Sequence, residues 1–159
     1  MKKDYFDTMD EKMAENENIF MIFCGLGYPR YDDFKKKYPT RVFNTEASEQ
    51  ASLDIACGLA VMGKIPFVYS ITPFLLWRAA ETIRTYINHE SLNVKLIGAG
   101  RNDDYTKHDG FSHDAADDRK FISMFDNVDG YWPDTVAELH SVINKAIDTP
   151  TPCYINIKR

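Results

Sequence analysis

The feature that most constrains the fold is a regular exchange between two hydrophobic periods. Continuous apolar runs of strand length occur at residues 19–26 (IFMIFCGL), 66–71 (PFVYSI), 94–100 (VKLIGAG) and 153–158 (CYINIK), with a shorter one at 41–44. Runs without polar alternation belong to strands covered on both faces. Helical patterns lie between them. Residues 4–16 put Phe6, Met9 and Met13 on one side. Residues 46–62 form a second helix, with Thr45 as its cap and Gly63 as its end. A third runs over 72–89, opened by Thr72 as cap and Pro73 at the first helical position, with Leu76, Ala80, Ile83 and Ile87 as its core stripe. A fourth begins at His113 and turns Phe121, Ile122 and Phe125 inward. The last opens on the capping box Thr135-x-x-Glu138, buries Leu139, Val142, Ile143 and Ala146, and stops at Pro150 and Pro152. The segment GYPRYDDFKKKYP reads as a polar connection, and RNDDYTKHDGFS as a polar loop of a length usually kept for function. Strands alternating with helices predict a three-layer α/β/α domain around a mainly parallel sheet, spanning residues 1–159.

In such sheets ligands gather beyond the C-terminal ends of the strands. Glu49, Phe74 and His113 each fall near the start of a helix that follows a strand, so right-handed crossovers bring all three to that edge. Charge narrows the ligand. The net charge is −5, which argues against a nucleic-acid partner. No run approaches the ~18 apolar residues of a membrane span, and the N-terminus has no apolar signal core. The three cysteines form no CxxC and sit in apolar segments, as thiols of a reducing compartment do. Together these features predict a cytoplasmic protein that works on small molecules and holds no metal of its own.

The stretch FNTEASEQASLDIACGLA sharpens the site. Its small apolar residues suggest a helix buried on every side, with Ala51, Ala56, Gly58 and Ala60 allowing another backbone close. Glu49 shares a stripe with Leu53, Ala56 and Ala60, whereas Glu46 is rotated about 60° away. Glu49 is therefore the carboxylate aimed into apolar surroundings, where it is costly unless paired. A helix-start acid favoured by the macrodipole is the other reading.

The segment RVFNTEASEQASLDIACGLAVMGKIPF, continued by FLLWRAAETIR, LNVKLIG and HDGFSHDAADD, resembles the pyrimidine-binding domain of transketolases and deoxyxylulose phosphate synthases. These are thiamine-diphosphate enzymes. The resemblance implies that Glu49 is the family glutamate that hydrogen-bonds N1′ of the aminopyrimidine, favouring the 4′-imino tautomer that removes the thiazolium C2 proton. Glu46 falls on a family glycine. Phe74 matches the phenylalanine that stacks on the pyrimidine. Ile71, Trp77 and Leu26 fall at further cofactor-facing positions, with Ile71 replacing a second aromatic. Asp109 and His113 match residues that contact sugar hydroxyls near the reacting carbon, and His113 thereby joins Glu49 as a catalytic candidate. Arg159 lines up with an arginine that binds substrate phosphate. The sequence departs from the family at His108, which replaces an acid, and at Asp114, which replaces a glutamine.

The GDG…N signature that holds the diphosphate and Mg²⁺ in such enzymes is not among these residues; HDG and VDG both lack its first glycine. The expectation is therefore a split transketolase-like enzyme transferring a two-carbon ketol unit. This chain would be its pyrimidine-binding subunit, and a separate GDG…N subunit would hold Mg²⁺ in an α2β2 hetero-oligomer acting on a sugar or sugar phosphate. A 2-oxoacid decarboxylase subunit and a non-catalytic module that keeps the fold are the alternatives.

Overall fold

A computed structural model describes all residues, 1–159. Six parallel strands form one sheet in the order β2-β1-β3-β4-β6-β5. They are β1 (Ile19–Phe23), β2 (Val42–Asn44), β3 (Ile65–Ile71), β4 (Lys95–Ala99), β5 (Asp129–Tyr131) and β6 (Cys153–Ile157). The three central strands and β6 are buried almost throughout, which is why their sequences lack alternation. On one face, α1 (Lys2–Glu15), α2 (Arg30–Lys37) and α8 (Val136–Asp148) cover a core that includes Phe6, Met9, Phe23, Tyr69, Leu139 and Ile143. On the other, α3 (Glu49–Val61), α4 (Thr72–Trp77), α5 (Ala80–Thr82) and α7 (Asp118–Ile122) enclose Leu53, Val68, Leu76, Ile83, Leu96 and Phe121. The three layers and the parallel sheet are those the sequence predicts.

Several local expectations are corrected. The polar connection after β1 contains α2. It buries only Phe34, so no apolar stripe announced it. The short β5 was also unannounced: its sequence is Asp-Gly-Tyr, at the sheet edge. The helix expected over 72–89 is broken. It stops at Arg78, restarts at Ala80, and widens into a π-helical segment, Ile83–His89. His113 does not begin a helix. It ends a 3-10 turn, Phe111–His113, just after a short α6 (Thr106–Asp109), and the following helix starts at Asp118.

The start of α3 is corrected as well. Glu46 has φ +53°, a left-handed conformation no helix can contain, so the helix opens at Glu49 with Ser48 at the cap position. The Thr45 hydroxyl pairs with that of Ser52 at 2.6 Å instead of capping. Nor is α3 buried on every side: Ile55, Val61 and Met62 are exposed, and a Cβ on Gly58 would meet nothing. Small residues suit a buried helix and an open face equally, so composition alone did not separate the two.

Candidate cofactor and substrate site

At the C-terminal edge of the sheet, the first residue of α3 meets the end of β3 and the start of α4. Glu49 is 2% exposed. The hydroxyl of Ser70, on β3, donates to its Oε1 at 3.0 Å. Arg78 Nη1 donates to its Oε2 at 2.8 Å. A buried carboxylate with both oxygens bonded, one of them to a cation, meets the condition for keeping charge away from water. Cys24, also nearby, bonds the Ser52 hydroxyl at 3.1 Å, and burial pushes its thiol up to about 11.

Phe74 is held on α4 by the anchoring of that helix. Thr72 Oγ1 donates to the carbonyl of Gly100 at 2.7 Å. Asn156 Nδ2 donates to the same carbonyl at 2.9 Å. Tyr154 and Trp132 both donate to Asp118 Oδ2, which ties the start of α7 to the sheet. The result is a half-buried Phe74 ring with two neighbours. The guanidinium carbon of Arg78 lies 3.9 Å from its centroid. The His113 ring meets it edge-on, with centroids 4.7 Å apart. Glu49, Arg78, Phe74 and His113 thus form a continuous chain of contacts drawn from separate segments.

The other candidates lie around this cluster. Ile71 is the last residue of β3, directly before α4, and is half-buried. Trp77 is half-exposed and packs its ring edge-on against Phe121 of α7, with centroids 4.7 Å apart. Leu26 is half-buried in the turn after β1, between Gly25 and Gly27, and packs against both cores. Asp109 is exposed at the end of α6, four residues before His113, and makes no side-chain hydrogen bond. Arg159 is tethered beyond β6. Its N–H donates to Asp104 Oδ2 at 3.0 Å, and its guanidinium lies 4.9 Å from the Tyr105 ring centroid. Glu46 belongs to a separate exposed cluster, accepting hydrogen bonds from Asn44 at 2.7 Å and Tyr28 at 3.2 Å.

Two residues of the central cluster, Ser70 and Arg78, were not singled out from the sequence. Arg78 had a signal: it lies one helical turn after Phe74. Ser70 had none, since a serine near the end of a buried strand has no distinctive pattern.

The whole chain, residues 1–159, matches the transketolase pyrimidine-binding domain. The chain belongs to that family. Among its relatives is an apulose-4-phosphate transketolase subunit from Actinobacillus succinogenes, 31% identical over 124 residues, which are 78% of this chain and 40% of that protein. The 6-deoxy-6-sulfo-D-fructose transketolase subunit of Clostridium sp. (strain MSTE9) is 29% identical over 163 residues, covering 100% of this chain and 49% of that protein. A solved split-gene transketolase, described as an inactive beta4 tetramer, superposes with a TM-score of 0.86 at 30% identity, over 99% of this chain and 50% of that one. The chain therefore spans about half the length of the relatives it matches. Thiamine diphosphate is the cofactor of this family, and a pyrimidine-binding domain offers one half of its site.

Proposed function

We propose that the chain supplies the pyrimidine-binding half of a thiamine-diphosphate-dependent transketolase-type enzyme, active only with a partner subunit. The observation that carries this reading is the buried Glu49 carboxylate near the half-buried Phe74 ring, the two linked by Arg78, at the C-terminal edge of the sheet. The residues present fit the pyrimidine half of the cofactor. Glu49 can hold or give a proton at ring nitrogen N1′, with Ser70 orienting the other oxygen. Phe74 offers a stacking face, and Ile71, Trp77 and Leu26 are the proposed remaining walls. The cofactor, when bound, supplies an electron sink for cleaving the bond next to a carbonyl.

No group of three His, Cys, Asp or Glu side chains that could hold a metal ion occurs in this structure. We assign the diphosphate and Mg²⁺ to a partner carrying a GDG…N motif, in an α2β2 complex. His113 is the proposed residue for the reacting carbon, with Asp109 binding a neighbouring sugar hydroxyl. The substrates named for the two curated relatives carry a phosphate and a sulfonate. Arg159, an exposed cation held in place by Asp104, is the candidate for such an anionic tail. The reaction is transfer of a two-carbon ketol unit in carbohydrate metabolism. No helix is long and apolar enough to cross a membrane, and the proposed setting is the cytoplasm.

The test is reconstitution with a partner subunit. Glu49→Gln keeps size and hydrogen bonding but cannot share a proton in the same way. In the complex it is expected to lose at least about 100-fold in kcat and to slow cofactor C2–H exchange with deuterium by a similar factor. Glu46→Gln, in the separate exposed cluster, serves as the control and is expected to stay within about threefold. Exchange at the wild-type rate in Glu49→Gln would sink the reading.

A further inference from the structure

Arg78 occupies the place that the proposed function reserves for a ligand. Glu49 has two bonded oxygens, and only one of their partners can leave. Ser70 is 1% exposed on a central strand and carries its hydroxyl on a short side chain. The Arg78 side chain is 45% exposed and long, so it is the movable partner. A group arriving from solvent to bond Glu49 comes by way of Arg78. The same guanidinium covers Phe74 at 3.9 Å, so one side chain engages both the acceptor and an aromatic face. A cleft of about 520 Å³ lies elsewhere, between α3 and the π-helical segment.

The chemistry of the occupant is informative. A guanidinium is planar, stacks on aromatic rings and presents N–H donors at its edge to a carboxylate. An aminopyrimidine protonated at a ring nitrogen presents the same set: a flat π-system, an edge N–H and partial positive charge. We infer that Arg78 is an internal stand-in for the cofactor ring, which fills the slot between Glu49 and Phe74 until a ligand displaces it. The interruption of the helix at Arg78 and Ala79 fits this role, because a residue at a helix end is freer to swing than one within a continuous turn. Occupancy by Arg78 keeps the buried carboxylate paired while the site waits. It also lowers the fraction of molecules able to take the ring, and so the apparent affinity.

The inference rests on the proposed function, and the experiment separates the two. Apo complex reconstituted with the partner is mixed with thiamine diphosphate at saturating Mg²⁺, and association is followed by tryptophan fluorescence, Trp77 being next to Arg78. Arg78→Ala is expected to associate about tenfold faster than wild type, the gain from removing a competing occupant of about 90% population. Arg78→Lys, which pairs with Glu49 but cannot lie flat on Phe74, is expected to fall between them. If Arg78→Ala does not fold, Arg78→Lys and Arg78→Gln still decide the matter, both being expected to exceed the wild-type rate. Rates equal to or below wild type in the folded variants overturn the inference while leaving the site reading intact. A wild-type complex that takes up no cofactor overturns both.

Discussion

Gly98 shows how a single residue without a side chain positions the site. It sits within β4, and a Cβ there would stand 2.6 Å from both the Thr72 hydroxyl and the Tyr154 hydroxyl. Those two hydroxyls belong to the network that anchors the start of α4 and the start of α7. The neighbours are buried and bonded on their other sides, so they cannot give way cheaply. Gly98→Ala is therefore expected to destabilise by about 1–3 kcal/mol, the usual cost of overpacking a close-packed interior. A urea titration checks it, and an unchanged midpoint would mean the network relaxes freely. The same variant is expected to loosen Phe74, because Thr72 lies two residues before it on the same short helix.

At the scale of elements, local chemistry was read most reliably where the signal is self-contained. The capping box of α8 is present: Glu138 N donates to Thr135 Oγ1 at 3.2 Å, and Thr135 N donates to Glu138 Oε2 at 3.3 Å. Its helix carries Leu139, Ile143 and Ala146 into the core, on the face of the sheet opposite Glu49. Thr135→Ala is expected to cost about 1 kcal/mol of stability, with Thr135→Ser close to neutral. Equal loss in both, measured by urea titration, would point to packing of the methyl group instead of the cap. By contrast, the break between α4 and α5 has no sequence marker. Its residues, Arg78 and Ala79, are good helix formers, and the π-helical segment beyond it carries no glycine or proline. Such departures arise from tertiary demands and concentrate at functional sites; here the break lies at the residue that bonds Glu49.

The molecule as a whole buries many groups that must stay neutral. Burial pushes the thiols of Cys24 and Cys153 up to about 11, from 9.0. Burial likewise raises the Tyr5, Tyr69 and Tyr154 hydroxyls above their usual range. Between the unfolded and folded values the unfolded chain has lost protons that the folded chain retains, so stability falls as pH rises through that window. Each of Cys24 and Cys153 is expected to cost about 1 kcal/mol at about pH 10. Lys95, whose pKa burial lowers, acts with the opposite sign, because its unfolded form holds the extra proton. It is outnumbered. The urea midpoint should therefore drop between about pH 8.5 and 10.5, and a flat profile would show that these groups reach water in the folded state.

The sequence by itself determined the layered α/β architecture, because uninterrupted strand runs and amphipathic helices are one-dimensional patterns tied directly to burial. It also singled out Glu49, which shares an apolar stripe, and placed Phe74 and His113 at the same sheet edge, with the family resemblance adding a role for each. Only the tertiary structure decided what these residues touch. Glu49 meets Ser70 from 21 positions away and Arg78 from 29, and His113 reaches Phe74 across β4 and the loop beyond it. Those pairings depend on where chain crossovers set down distant segments, and on a helix that breaks against its own propensity to bring a cation to a buried carboxylate. Neither is written in a local period. The pairing of Arg78 with both Glu49 and Phe74, on which the proposed displacement by cofactor depends, exists only in three dimensions.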